Sequence, residues 1–246
     1  MPEPPPSATA ARAGRFVAQS LLALVPVLAW DASGLDLPLE RWFGNTHGFA
    51  LMHAWWLEQV LHADARNLAW VFVAILMLAI WRPPRWLAAL PRGDRAGLVV
   101  GILLAALVMQ GLKHLSHTSC PWDLAEFGGR AHYVPHWLWG VPDGGAGHCF
   151  PAGHASTAFS FLAGWFWLRA AAPRVARIWL ATSLVLGLAL GGVQMVRGAH
   201  YLSHVLWAGW FCWVAGGVFW LAVQALKPGL GRESAPGGQA AGRASR

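Results

Sequence analysis

Two histidines, His154 and His200, stand where apolar runs meet polar ones, and each lies within a short cluster of residues suited to handling an anion. One cluster runs from Cys149 through Pro151, Ala152 and Gly153 to His154 and Ser156. A second runs from Gln194 through Arg197 and His200 to His204, and a third from Lys113 to Cys120, Pro121 and Asp123. Pro151-Ala-Gly-His154 opens an apolar stretch, so the free N–H groups and positive dipole end of a helix would point at that mouth. Gly153 lets a ligand approach the backbone closely. Lys113 closes an apolar stretch, where an ammonium is costly without a role or a partner. Two imidazoles at separate helix junctions can supply a nucleophile and a general acid. The chemistry that suits this set is that of a phosphate site.

The elements that must hold these clusters are apolar. Six blocks cover residues 16–30, 68–81, 97–112, 155–168, 178–196 and 201–226. Several are shorter than the roughly 20 residues that cross a bilayer core, so their helices must extend into flanking residues. Segments 82–95 and 169–177, the N-terminus and the tail carry 13 of the 18 Lys and Arg residues, so these parts are expected on the cytoplasmic side. Segments 31–64 and 113–153 carry 8 of the 11 acidic residues and are expected to face outward. All eleven histidines lie on or beside the outward segments. The predicted architecture is an all-α bundle of six transmembrane helices over residues 15–226, with an outer amphipathic segment at 31–64 and an outer loop at 114–153. Residues 1–14 and 227–246 read as disordered cytoplasmic tails.

Composition agrees with a polytopic membrane protein. The chain has 246 residues, 56% of them hydrophobic, and its charged fraction of 12% is near half that of soluble proteins. A net charge of +7 then follows from the bias of cytoplasmic loops and is no sign of nucleic-acid binding. Three cysteines are too few for a disulfide scaffold or a four-cysteine zinc site.

Together the clusters resemble the type 2 phosphatidate phosphatase superfamily of membrane lipid phosphatases. The pattern there is K-x6-R-P, then P-S-G-H, then S-R-x5-H-x3-D. Here Lys113 and Pro121 match the first motif, with Cys120 in place of Arg; Pro151, Gly153 and His154 match the second, with Ala152 in place of Ser. His200 matches the third, while Val193, Gln194 and His204 replace Ser, Arg and Asp. The resemblance spans roughly residues 60–225 and implies a divergent branch, with His200 as nucleophile forming a phosphohistidine and His154 protonating the leaving oxygen. It implies no metal and no cofactor. The substrate would be a lipid phosphate or diphosphate held in the bilayer, at the outer face of a bacterial inner membrane. A lipid phosphotransferase using a polyprenyl diphosphate donor and a non-catalytic lipid-phosphate-binding or transport protein are the alternative readings. The oligomeric state is left open.

The departures raise two questions of replacement. For the lost guanidiniums, Arg197 is the favoured candidate and Arg130, in the outer loop, a second. For the lost carboxylate that would orient His200, the candidates are His204 itself and Asp123. His114, His117, His132, His136 and His148 read as solvated loop residues. Cys120 and Cys149 both lie in outward segments and each adjoins a motif, so a disulfide between them is expected in an oxidising compartment.

Overall fold

The computed structural model describes residues 8–58 and 64–232. Helix α1 runs over Ala8–Ser33, α2 over Asp36–Glu40, and a two-residue hairpin pairs β1 (Gly44–Asn45) with β2 (Gly48–Phe49). Helices α3 (Trp55–Glu58), α4 (Ala65–Ala79) and α5 (Arg92–Leu115) follow. After the outer loop come α6 (Gly153–Phe159), a 3₁₀ turn at Ser160–Leu162 and α7 (Ala163–Leu168), one after another. Helices α8 (Pro173–Val196) and α9 (Leu202–Arg232) end the bundle.

Four of these helices, α1, α5, α8 and α9, are long and apolar enough to cross a membrane. The blocks expected at 68–81 and 155–168 are helical too, but α4 has 15 residues and the second block is divided by its 3₁₀ turn. The outward surfaces are apolar: Leu22 on α1, Leu107 on α5 and Ile178 on α8 are each about two-thirds exposed or more. Such surfaces suit hydrocarbon rather than water.

Helix α9 is the shared axis, touching α1, α5, α6, α7 and α8. Lipid supplies no hydrophobic drive between helices, so close packing and polar pins must hold them. Gly217 admits the Phe16 ring and Gly187 the Phe159 ring at distances a Cβ would forbid. Three indoles spaced three residues apart on α9 pin α1: Trp207 donates to Asp31 at 2.7 Å, Trp210 to the Ser20 carbonyl at 3.0 Å and Trp213 to the Ser20 hydroxyl at 3.0 Å.

Three expectations change. Helix α1 begins at Ala8, inside the stretch expected to be disordered, because Ala8, Ala10, Ala11 and Ala13 are strong helix formers. Helix α9 likewise continues through Lys227 to Arg232, while residues 1–7 and 233–246 lie outside the described residues. Segment 31–64, expected as an outer amphipathic segment, is not one continuous element. It finishes α1 and then folds through α2, the hairpin and α3, with residues 59–63 outside the described residues. Its hydrophobic anchor Phe49 packs with Leu124, Phe127 and Tyr201 under the outer loop, while Trp42 and Trp55 stay exposed.

Candidate active site

The site is assembled where α5 ends, α6 begins and α8 turns into α9. Ala152 precedes α6 in extended conformation, and its N–H donates to the His204 carbonyl at 3.1 Å. That bond locks the start of α6 to the first turn of α9. The turn itself is fixed by a distant carboxylate. Buried Asp36 accepts the Ser203 N–H at 3.0 Å and the Ser203 hydroxyl, so it caps α9 from 167 residues away in sequence. Trp30 holds the same carboxylate at 2.7 Å.

His154 and His200 therefore meet, with ring centroids 5.7 Å apart. His154 is half-buried and His200 is 2% exposed. Lys113, in the last turn of α5, reaches the same spot: a Cβ added to Gly153 would stand 3.3 Å from its Nζ. Burial, first, and then His154, His204 and Lys113 hold the His200 imidazole well below its ordinary pKa, against a weaker opposing pull from a hydrogen bond to the Cys149 backbone. At neutral pH His200 is thus neutral, with a lone pair to offer.

Cys120 and Cys149 are joined by a disulfide. The loop segments that carry them lie side by side: His148 N–H donates to the Ser116 carbonyl and Cys149 N–H to the Thr118 carbonyl, both at 2.9 Å. Buried Asp143 ties the loop further by accepting the Ser119 N–H at 2.6 Å and its hydroxyl at 2.8 Å. Cys149 faces both histidines of the third cluster. Its sulfur lies 3.4 Å from His200 Nδ1, and its carbonyl lies 3.2 Å from His204 Nδ1. A carbonyl only accepts, so His204 carries a proton on Nδ1. The donor atoms of Cys149, His200 and His204 fall within 4.8 Å of one another, yet Cys149 Sγ is engaged in the disulfide and offers no thiolate to a metal.

The other candidates make contacts of their own. Arg197 is buried, but its Nε and Nη2 donate to the Met52 carbonyl at 3.1 and 2.8 Å, and Nη1 donates to Gln194 Oε1 at 3.2 Å. The guanidinium thus ties the 44–54 segment to the end of α8. Gln194 is 1% exposed, and its Nε2 has no partner among the described residues. Asp123 turns its carboxylate onto the Cys120 N–H at 3.1 Å, a local cap rather than a contact with His200. Arg130 is exposed, and its own N–H bonds the Asp123 carbonyl.

One group escaped the sequence reading. His136, expected to be a solvated loop residue, is 7% exposed and stacked on Phe150 at 4.3 Å. Its Nε2 is 3.4 Å from Asp31 Oδ2, and its ring meets His204 edge-on at 5.7 Å. His204 in turn stands 6.0 Å from His200. A file of four imidazoles (154, 200, 204, 136) so ends on a buried carboxylate. The signal in the sequence was Asp31 itself, an acid directly after the apolar run that ends in Trp30, where a charge needs a partner.

Neither curated proteins nor solved structures yield a match. The family model described as PAP2 superfamily matches residues 95–228, which hold all three clusters and the helices that carry them. The chain belongs to the PAP2 superfamily.

Proposed function

We propose that this protein is an integral membrane phosphatase that hydrolyses a lipid phosphate or diphosphate through a phosphohistidine on His200. The observation that carries the reading is the 5.7 Å approach of His154 to His200 with the Lys113 ammonium against Gly153. A neutral nucleophile, a proton donor and a cation around one small space are what phosphoryl transfer needs.

His200 Nε2 attacks phosphorus; the P–N bond forms as the P–O bond to the lipid breaks, and His154 gives its proton to the departing oxygen. Water then attacks phosphorus, His154 takes its proton, and the P–N bond breaks to free inorganic phosphate. One water is consumed and both histidines are restored. Lys113 and the amides that open α6 stabilise the equatorial oxygens. Arg197 acts through Gln194, which it holds at the end of α8.

The lost motif carboxylate has a successor at longer range. His204, proton on Nδ1, stands between His200 and the His136–Asp31 pair, so Asp31 supplies negative charge behind an imidazole instead of directly. The lipid reading is supported by an apolar groove of about 700 Å³ lined by Leu68 and Phe72 of α4, Thr157 and Phe161 of the α6–α7 run, and Trp179 and Leu186 of α8. Thr157 lies one turn beyond His154, so a hydrocarbon chain in this groove leaves its phosphate at the histidines.

In the membrane, the 65–79 and 153–168 helices act as the two short spans of a six-span bundle. The histidines face the periplasm and both termini the cytoplasm of a bacterial inner membrane. The test is phosphate release from a panel of lipid phosphates and diphosphates by the wild type, His154→Ala and His200→Ala. Release by the wild type alone supports the reading; equal release by His200→Ala removes His200 as nucleophile.

A further inference from the structure

A second basic site lies at the other end of the bundle. A cavity of about 310 Å³ is lined by Arg12 and Arg15 from the start of α1, Asp94 from the start of α5, Arg169 just after α7, and Trp220 and Gln224 from α9. Asp94 and Lys113 sit at opposite ends of α5, about 28 Å apart at 1.5 Å per residue, so this cavity is remote from the histidines.

Three guanidiniums share the cavity. Arg169 is half-buried and laid on an aromatic wall, its Cζ 4.5 Å from the Trp220 ring and 5.4 Å from Phe166. Burial lowers its pKa first, and the nearby Arg15 and Arg12 lower it further. The acid that could relieve this, Asp94, is paired with Lys227 instead. Among the described residues, none of the three arginines has a carboxylate partner.

A lone arginine at a helix end snorkels into water and needs no ligand. Three that converge on one concavity, with one of them stacked and partly desolvated, repel each other until an anion enters. The guanidinium fork matches the oxygens of a phosphate in bidentate fashion. Beside the cavity, α1 presents exposed Val17, Leu21 and Leu22, a surface on which acyl chains can lie. Asp94 also lines the cavity, and its charge is engaged by Lys227.

We propose that this cavity binds a phosphate group, carried by an anionic phospholipid headgroup or free in solution, as a second anion site separate from the histidine site. An anionic lipid seated there would join α1, α5, α7 and α9 at one point.

Native mass spectrometry of the full chain in detergent tests this, with dioleoyl phosphatidylglycerol, dioleoyl phosphatidylcholine and inorganic phosphate as probes. The wild type retains phosphatidylglycerol in preference to phosphatidylcholine. Arg12→Gln, Arg15→Gln and Arg169→Gln each weaken retention about fivefold, the effect of one basic residue near an anionic membrane surface. Arg15→Lys, which keeps the charge at an exposed position, retains the lipid. His200→Ala also retains it, which separates this site from the proposed catalytic one. Retention of phosphate without phosphatidylglycerol, lost in the same arginine variants, identifies the free anion as the ligand. Equal retention of both lipids with no phosphate bound, or undiminished phosphatidylglycerol on the folded triple variant, overturns the proposal.

Discussion

Asp31 and His136, 105 positions apart in the chain, face each other at 3.4 Å, and the His136 ring packs on His204, which in turn stands beside His200. A carboxylate thereby stands two imidazoles away from His200. If Asp31 orients and polarises this file, Asp31→Asn lowers kcat about tenfold or more while KM changes little. His204→Asp, which restores a carboxylate beside His200, should make the enzyme indifferent to Asp31→Asn. Steady-state kinetics of the single and double variants check this. A structural role for Asp31 would instead leave the double variant as impaired as the single one.

Lys113 does two things at once, and they separate by pH. On the proposed mechanism its ammonium, beside Gly153, meets the phosphate oxygens, so Lys113→Met should cost on the order of 10²-fold in kcat/KM. It also helps to keep His200 neutral, behind burial and the two neighbouring histidines. Acid inactivation by protonation of His200 is therefore expected only well below pH 6.5 in the wild type, and Lys113→Met should move that limb upward. A pH–rate profile of both proteins measures the shift; an unmoved limb would show that the charge does not act on His200.

Much of this was legible in the residues, for a physical reason. Motif residues sit at helix junctions, and a junction is visible wherever an apolar run stops. That locates Lys113, His154 and His200 and the order of their helices. What was not legible depends on contacts between distant segments. Asp31 and His136 look like an interfacial acid and a loop histidine until the loop folds over α1. Arg197 carries the charge expected of it, but its direction is decided by the Met52 carbonyl, which no local pattern announces. In the 31–64 segment the exposed Trp42 and Trp55 are legible locally, whereas the burial of Asp36 and Glu40 is not.

Glu40, buried beside Asp36, gives a test by pH. It is fully buried, and burial, reinforced by Asp36, raises its pKa to about 9. The folded state then holds a proton that the unfolded chain releases near pH 4.5. Stability attributable to this group falls as pH rises from about 4.5 to about 9. Glu40→Gln removes that slope and should stabilise by up to about 3 kcal/mol at pH 7. Thermal unfolding in detergent across this range checks it; a Glu40→Gln protein less stable than wild type at pH 8 would contradict it.

The Cys120–Cys149 bond spans 29 positions and anchors the carbonyl that meets His204. Cys120→Ser with Cys149→Ser should cost about 3 to 4 kcal/mol of stability. Turnover should also fall at temperatures where the variant remains folded. Unfolding curves and activity with and without reductant separate the two losses; activity untouched by reductant in folded protein would free the site from the bond.

The central claim is that His200 becomes the phosphoryl carrier. Rapid quenching of the enzyme with a ³²P-labelled lipid phosphate, followed by peptide mapping, tests it most directly. An acid-labile, base-stable label is expected on the peptide containing His200, absent from His200→Ala and formed slowly in His154→Ala. Label on a different residue, or full turnover by His200→Ala with no label trapped, would contradict it.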